Sequence, residues 1–322
     1  MLTHIVRRIL IAIPLLLAMS FVTFLFMTVV YKGDPLAQYK LDPTTSKETI
    51  DNLRKKYHLN KPPAVRYFLW LGGVLRGDLG YSIHQKQKVS VIIRSRIWPT
   101  LLLSLSAMIC AWVLAIPLGI YCAVHQGKLR DRLLSLFAFL GMAIPSFFFA
   151  LLLLWAISVT GILPLGGYQS TDFEKLSFLG KVLDIGAHLI LPTVVLGFGA
   201  MGGLQRIMRG NMLEALRSQY VTTARAKGLS ETRVVYWHAL RTAINPMITI
   251  FGYQLSGLLS GAALMEIVIN WPGLGNLMLG AVRAQDHSLV MGSMLISGVL
   301  LILGNLVADI LLSLSDPRIS YS

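Results

Sequence analysis

The residues of this 322-residue chain that could do chemistry form no catalytic or cofactor-binding pattern. Gly197-Phe-Gly199-Ala-Met-Gly202 has the spacing of a dinucleotide-binding loop. Such a loop must follow a strand in a βαβ unit, and here the sequence lies within a long apolar run. Small residues inside such a run favour close packing of helices, and Gly257 and Gly261, four residues apart, have the same interpretation.

No other grouping of reactive side chains indicates an enzyme. The sequence contains no Walker A motif, no cluster of His, Cys and Asp with metal-ligand spacing, and no nucleophile–base pattern. Its seven histidines are scattered, and we expect Cys110 and Cys122, both in apolar sequence, to be packing residues. We therefore expect no catalytic residue, no cofactor and no bound metal.

The polar segment over 206–246 has the pattern of two short amphipathic helices. Apolar residues at helical spacing form one face in each half: Met212, Leu216, Tyr220 and Ala224, then Val234, Trp237, Leu240 and Ile244. Gly228 is a natural C-cap for the first helix, and Ser230 is an N-cap for the second. Asn245-Pro246 should end the second helix, so a tight corner forms near Gly228.

Small side chains around this corner would allow another surface to approach closely. Arg225 and Lys227 offer positive charge to an acidic partner. The alternative is a helical hairpin that lies flat on anionic lipid. The residues alone leave both interpretations open and favour docking onto a partner.

Composition places these elements in a membrane protein. The chain is 55% hydrophobic and 14% charged, whereas soluble domains average about 25% charged residues. Six runs without Asp, Glu, Lys or Arg are long enough to span a bilayer: 9–31, 97–127, 133–171, 185–205, 242–265 and 287–308. We expect one span over 134–160. The broken run 267–282 should be a re-entrant or interfacial segment.

The net charge of +14 fits membrane loops better than nucleic-acid binding. Six spans place both termini on one side. With that side cytoplasmic, thirteen Lys and Arg lie in the internal segments 1–8, 124–132, 206–245 and 313–322. The shorter external loops, 161–184 and 266–286, hold three. Loop 32–96 also holds thirteen, but its 65 residues exceed the roughly 60 within which the positive-inside rule applies.

Loop 32–96 should be a structured external cap. Ser46–Tyr57 has a Ser N-cap, early acid and late base, which is typical of a short helix. Val65–Leu75 is apolar and aromatic enough to lie in the membrane interface. The sequence thus divides into an N-terminal segment with the first span over 1–31, this cap, and a five-helix core over 97–322.

Several motifs in order resemble the permease subunits of ABC importers. Ala224-Arg-Ala-Lys-Gly228, followed by His238, Arg241, Ala243 and Pro246, resembles their EAA loop, with Thr223-Ala224-Arg225 replacing the usual opening. Other motifs resemble the dipeptide, oligopeptide and nickel branch: Arg7-Arg8-Ile9, Gly33-Asp-Pro35, Gly77-Asp-Leu-Gly80 with Ser82, Glu266 before Trp271-Pro-Gly-Leu-Gly275, Asp309, and Asp316-Pro-Arg318.

The resemblance implies an all-α membrane protein with six transmembrane helices and the type I ABC importer permease fold. It implies a multi-pass location in the bacterial plasma (inner) membrane, contact with membrane lipid, and no enzymatic role. Its partners would be a homologous second permease, two cytoplasmic ATPases and an external solute-binding protein. The solute would be a dipeptide, an oligopeptide, a nickel chelate or a glutathione-like compound.

The resemblance also assigns roles to residues. Segment 206–246 would be the cytoplasmic coupling loop seated on an ATPase, and ATP-driven movement of its corner would switch the spans from inward-open to outward-open. Its coupling residues would be Tyr220, Ala224, Arg225, Ala226, Lys227, Gly228, His238 and Arg241. The external gate and translocation path would involve Glu266, Trp271, Pro272, Gly273 and Gly275.

Some assignments keep alternatives. His238 and Arg241 either fix the second helix of the loop or contact the ATPase. We expect Glu266 to accept hydrogen bonds from the turn at 271–275 rather than to meet a peptide's amino terminus. Asp309 should pair with a base near the cytoplasmic face, either Arg132 or a residue of a partner protein. A self-contained secondary transporter or channel is the second functional hypothesis. The lack of clear internal repeats and of charge at the span centres disfavours it.

Overall fold

The computed structural model describes residues 2–30, 34–41, 43–257 and 263–315, and this part of the chain is mostly helical. In chain order the α-helices are α1 Leu2–Leu25, α2 Ala37–Leu41, α3 Lys47–Lys56, α4 Pro63–Val74, α5 Val89–Val124, α6 Leu129–Ala143, α7 Ser146–Thr160, α8 Phe178–Leu216, α9 Gln219–Ala226, α10 Glu231–Arg233, α11 Leu240–Ala243, α12 Asn245–Gly257, α13 Ala263–Val268, α14 Leu274–Arg283 and α15 His287–Ser315.

Three shorter helical pieces and one hairpin complete the secondary structure of the described residues. Phe26–Val30 and Val234–Ala239 are π-helical, and Phe173–Lys175 is a 3₁₀-helix. Strands β1 Tyr81–Ser82 and β2 Gln87–Lys88 pair antiparallel, a small addition to the predicted all-α fold. Gly33, Gly261 and Asp316–Arg318, which belong to predicted motifs, lie outside the described residues.

Four helices within the described ranges are long and apolar enough to cross a membrane. They are Leu10–Val29, α5, α8 and the His287–Val307 part of α15. A fifth span results if α6 and α7 are taken together. The predicted span over 242–265 is represented by α12 and α13, with residues 258–262 between them outside the described part. The count of six therefore stays a prediction.

The span expected over 134–160 is not one continuous helix, because the chain forms α6 and α7 with a 103° bend between them, and the span itself stays a prediction. Ile144 leaves the helical region at φ −87°, ψ 123°, and Pro145 is the N-cap of α7. Proline disfavours helical geometry in the residue before it, so an apolar run without charges still breaks at this point. Gly161 ends α7 in the left-handed conformation, with φ 67°.

The described part of the chain divides into two compact units. Unit 1 comprises the described residues of 1–100, residue 263 and residues 272–303, and unit 2 comprises residues 101–257, 264–271 and 304–315. The core of unit 1 is a cluster of buried apolar residues from four elements: the π-helix Phe26–Val30, the first turns of α5, helix α14 and the first turn of α15. Its members are Met27, Val89, Ile92, Ile93, Leu274, Leu277, Ala281, Leu289 and Val290.

Segment 32–96 in unit 1 contains the predicted short helices. Ser46 caps α3 by accepting a hydrogen bond from the Thr49 amide at 3.1 Å, as its sequence predicts. Helix α4 coincides with the apolar stretch predicted over 65–75. Its buried Tyr67 shares a 3.0 Å hydrogen bond with Ser20 of α1, and its ring packs against Phe21 and Phe24.

A buried carboxylate connects this segment to α15 within unit 1. Asp286 caps α15 by accepting a hydrogen bond from the Leu289 amide at 3.0 Å. The same carboxylate accepts hydrogen bonds from the Ser82 hydroxyl at 2.6 Å and the His84 amide at 3.2 Å. Three donors at one buried group hold the β1–β2 hairpin against the start of α15.

Unit 2 is organised around the packing of α8 against α5 and α6. A Cβ added at Gly197 would lie 3.0 Å from the Cys110 sulfur, and one at Gly141 would lie 2.5 Å from the Phe198 carbonyl oxygen. A Cβ at Gly202 would overlap the Ala138 carbonyl oxygen and lie 2.7 Å from Met142 Cγ. The glycines at 197 and 202 therefore permit close helix packing, which confirms the interpretation of this motif.

We predict that Gly202→Ala destabilises the chain, because the added methyl group would force α6 and α8 apart. The expected loss is about 1–3 kcal/mol, the usual cost of overpacking. Gly203→Ala is the matched control, since a Cβ there meets no atom within 4 Å. The control should be neutral or slightly stabilising, because alanine is the better helix former. Thermal unfolding of the purified protein in detergent measures both, and equal melting temperatures for the two variants would contradict the packing argument.

Candidate functional site

Helix α8 extends beyond the apolar run and forms the first part of the 206–246 segment. It continues to Leu216, and its C-cap Arg217 precedes Ser218, where the backbone is extended at φ −71°, ψ 154°. Ser218 is the N-cap of α9, so the single helix expected from Met212 to Ala224 is wrong. The break resets the helical phase between α8 and α9.

The phase change decides which residues of α9 are buried. Val221 is fully buried and Ala224 is 6% exposed, whereas Tyr220 is 42% exposed. The prediction that Tyr220 and Ala224 share one apolar face is therefore wrong. Val221, which the assumed continuous helix placed elsewhere, takes the inward position.

Gly228 forms the predicted corner after α9. Its φ is +76°, its amide donates to the Arg225 carbonyl at 2.9 Å, and the Leu229 amide reaches the Ala224 carbonyl at 3.4 Å. This pair of bonds is a Schellman C-cap. No heavy atom lies within 4 Å of where a Cβ would be at Gly228, so the backbone conformation, not space, requires glycine.

An ion pair closes the corner from the outside. Arg225 Nη2 lies 2.6 Å from Glu231 Oε1, and Arg225 Nε lies 3.1 Å from Oε2. The hydrogen bonds from Arg225 hold the pKa of the Glu231 carboxyl below its usual value of 4.5. The charge of Arg225, which the sequence offered to an acidic partner, is thus used within the segment.

The second helix of the segment differs from its predicted periodicity. Ser230 is the N-cap of α10, as expected, but Val234–Ala239 is π-helical and the Leu240 amide bonds to the Val235 carbonyl. A π-helix bonds each amide to the carbonyl five residues back, which shifts the buried positions. Trp237, predicted to face inward, is 65% exposed, while Val235 is buried. The helix ends at Ala243, and α12 begins at Asn245.

The buried faces of the two helices pack on the end of α8. One continuous cluster contains Met208, Met212, Ala215, Val221, Ala224, Val234, Val235, Ala239, Ala243 and Met247. Asn211 of α8 also donates a 3.2 Å hydrogen bond to the Ala243 carbonyl. Ala224 therefore contributes to packing inside the segment, and its side chain does not form the outer surface.

The outer surface of the segment carries two large aromatic side chains. Tyr236 is 57% exposed and Trp237 is 65% exposed. Together with Ser230, Thr232 and Arg233 they line a shallow cavity of about 420 Å³, and we call these five residues the outer patch. Regular helical periodicity gives Tyr236 no role and places Trp237 inward, so it does not predict this surface. The signal in the sequence that could have indicated this surface is the pair of adjacent aromatic residues within a polar, charged segment.

The remaining predicted coupling residues differ in their exposure. Ala226, Lys227 and Arg241 are exposed, and His238 is half-buried. Of the eight predicted coupling residues, Tyr220 is also exposed, whereas Ala224 is buried in the core of the segment. Whether His238 and Arg241 contact a partner stays a prediction.

The bonding of Asp131 and Arg209 fixes the end of α8 on which this segment is built. Arg209 donates two hydrogen bonds to the buried Asp131 carboxylate, at 2.8 and 2.9 Å. The Gly127 amide donates a third at 2.9 Å. Neither residue carries a local signal in the sequence, because their contact spans 78 positions along the chain.

Two of the predicted gate residues lie in unit 2. Glu266 and Trp271 are both fully buried, and the Trp271 amide donates a 2.7 Å hydrogen bond to the Glu266 carbonyl oxygen. The ring of Tyr168 packs edge-on against Trp271 at 5.3 Å, and the Gly167 amide bonds to the Ile269 carbonyl at 2.8 Å. The observed bond involves the Glu266 backbone, so the predicted role of its carboxylate stays a prediction.

The other gate residues lie in unit 1, where they start α14. Gly273 is the N-cap, and its carbonyl accepts a hydrogen bond from the Leu277 amide at 3.1 Å. The Leu274 amide bonds to the Thr100 hydroxyl at 2.8 Å, while Pro272 and Gly275 are half-buried. Among the described residues, no three His, Cys, Asp or Glu side chains are grouped so as to hold a metal ion.

Comparison with protein families gives two matches that together include nearly the whole chain. Residues 115–321 match the family described as "Binding-protein-dependent transport system inner membrane component". Residues 1–106 match the N-terminal region described for the membrane component of the same transport systems. The first match alone includes more than half of the chain.

Individual relatives align over their full length. The oligopeptide transport system permease protein AppB of Bacillus subtilis is 40% identical over 100% of both chains. The dipeptide transport system permease protein DppB of Escherichia coli is 34% identical over 100% of this chain and 99% of its own. The oligopeptide permease OppB of Haemophilus influenzae is 36% identical over 100% of both chains.

A solved structure shares the fold. The chain aligns with a structure of the MetNI methionine ABC transporter in an inward-facing conformation, with a TM-score of 0.50 and 16% identity. The alignment includes 69% of this chain and 97% of the transporter chain. At this identity the similarity concerns the fold alone, and it agrees with the type I importer fold expected from the sequence.

We predict that Arg225→Gln raises the pKa of Glu231 to near 4.5, because the charged hydrogen bonds that favour the ionised carboxylate are lost. A lowered folded-state pKa means that the pair stabilises the corner above pH 4.5, and that this contribution is lost as the pH falls through the folded value. Because both side chains are exposed, the pair contributes at most about 1 kcal/mol.

The carboxyl carbon-13 shift of Glu231, followed against pH in the full-length protein, measures this value. Lys227→Gln is the control, since it removes an exposed positive charge of the same corner that is not in the ion pair. An unchanged Glu231 titration in Arg225→Gln, or an equal shift in Lys227→Gln, would contradict the assignment.

Proposed function

The chain belongs to the family of binding-protein-dependent transport system inner membrane components, and we propose that it imports peptides as the permease subunit of an ATP-driven transporter. The observation that best supports this proposal is its full-length similarity to permeases named for dipeptide and oligopeptide transport. Its partners would be a homologous second permease, two cytoplasmic ATPases and an external binding protein, and both termini would lie in the cytoplasm.

We propose that the outer patch of the 206–246 segment docks on one ATPase. A cluster of exposed aromatic side chains on a polar segment is the composition expected of a partner-binding surface. Arg233 of the patch and the exposed Lys227 and Arg241 of the same segment would meet acidic groups of the ATPase. The half-buried and buried residues behind this surface would not touch the partner but would hold its shape.

Helix α8 would transmit movement of the docked segment to the membrane-spanning part of the chain. This helix has 39 residues and a length of about 58 Å, and it continues without interruption from the segment into the apolar run. The buried cluster joins α9 and the π-helix to its end. Displacement of the corner by ATP-driven closure of the ATPases would therefore displace α8 as a unit.

The residues from Glu266 to Gly275 would form part of the external gate. Trp271 closes a turn stabilised by a backbone bond and by the ring of Tyr168. A buried carboxylate at the end of a membrane helix is costly and is therefore a functional candidate. We propose that the Glu266 carboxylate stabilises this turn and does not bind the solute.

Reconstitution tests the proposed transport. Proteoliposomes holding the complete transporter, with binding protein and a labelled dipeptide or tetrapeptide outside, should accumulate peptide only when ATP is enclosed. Free amino acids at the same concentration should not accumulate. Accumulation by this chain without the ATPases, driven by an ion gradient, would contradict the proposal and favour the secondary-transporter hypothesis.

The double substitution Tyr236→Ala/Trp237→Ala should lower peptide uptake at least tenfold, because it removes the main apolar contact with the ATPase. Both side chains are exposed, so the variant should fold and insert normally. Trp155→Ala on α7 is the control, since Trp155 is 70% exposed and lies outside the segment. Co-purification of the ATPase should fall in parallel with uptake. Normal uptake by the double variant would exclude the outer patch as the docking surface.

A further inference from the structure

A groove between α6 and α8 in unit 2 has no role in the proposed transport function. Its volume is about 350 Å³. One end is lined by charged side chains, including Asp131, Arg132, Arg206 and Arg209. The other end is lined by Phe139, Met142 and Gly202. The groove is therefore polar at one end and apolar at the other.

The charged end has an excess of positive charge. Arg209 is neutralised by its bidentate pairing with Asp131. Arg132 and Arg206 are both exposed, and no carboxylate of the described residues lies within 4.0 Å of either. Two cations next to an already paired arginine form a site for an anion with several oxygen atoms.

The apolar end continues from this site along α6. Phe139 is 58% exposed and Met142 is 44% exposed, and they lie two and three turns beyond Arg132. Gly202 has no side chain, and α8 passes close to Met142 there. An exposed apolar wall beside a cationic site fits a ligand that joins an anionic group to a hydrocarbon chain.

We propose that this groove binds an anionic phospholipid, with the headgroup phosphate at Arg132 and Arg206 and an acyl chain along Phe139 and Met142. Basic pockets between transmembrane helices commonly accept such headgroups. A soluble phosphate or a peptide carboxylate would use the cations but would leave the apolar wall uncovered. The proposal rests on the groove within this chain and does not depend on which solute is imported.

Native mass spectrometry of the assembled transporter in a neutral detergent tests the site, with phosphatidylglycerol as the probe. Phosphatidylcholine with the same acyl chains should bind more weakly, because its headgroup has no net charge. The double variant Arg132→Gln/Arg206→Gln should raise the dissociation constant for phosphatidylglycerol about thirtyfold, as expected for two cations at an anionic headgroup.

Arg130→Gln is the matched control, because Arg130 lies on the same helix and bonds to the Tyr121 hydroxyl at 3.2 Å outside the groove. It should bind phosphatidylglycerol like the unaltered chain. Phe139→Ser should also weaken phosphatidylglycerol binding, and millimolar glycerol phosphate should not displace the lipid. Equal affinity in the double variant and in Arg130→Gln would overturn the proposal, as would displacement by glycerol phosphate.

Discussion

The two hydrogen bonds from Arg209 to Asp131 fix the end of α8, on which the 206–246 segment is built. Asp131 is buried and accepts from Arg209 and from the Gly127 amide, so its charge is compensated. Removing one partner of such a pair commonly costs about 3–5 kcal/mol, because the other charge is left buried. The pair joins the start of α6 to the last turns of α8. The close contact at Gly202 joins the same two helices about two turns earlier in α8.

The 206–246 segment is therefore a packed extension of α8 rather than a flexible connection. Three interactions of different kinds hold its corner: the Schellman bonds at Gly228, the Arg225–Glu231 pair and the buried aliphatic cluster. The Schellman bonds fix the direction of the backbone, and the ion pair links α9 to α10 on the exposed side of the corner. The buried cluster joins both helices of the segment to α8. A segment held in this way can transmit displacement, because bending it would require the loss of buried contacts.

Local signals in the sequence predicted local structure well. The Ser46 cap and the Gly228 corner lie where the residue types placed them, because each depends on bonds within a few residues. Ser230 takes the expected N-cap position without a side-chain hydrogen bond. Periodicity failed where the backbone left the regular α-helix. The break at Ser218 and the π-helix over Val234–Ala239 changed the helical phase, so Tyr220 and Trp237 face outward. The bend at Pro145 could be predicted from the sequence, since proline disfavours the helical backbone conformation in the residue before it.

By itself, the sequence indicated a helical membrane protein that resembles the importer permease family and has a capped corner in its 206–246 segment. Composition and charge-free runs indicate the helical membrane protein, the ordered motifs carry the resemblance to the family, and the capping residues place the corner. Only the tertiary structure decided which side chains of the segment form its surface, that Asp131 bonds to Arg209, and that Asp286 bonds to Ser82. These depend on helix phase and on contacts between residues far apart in the chain, and one sequence contains no local signal for either.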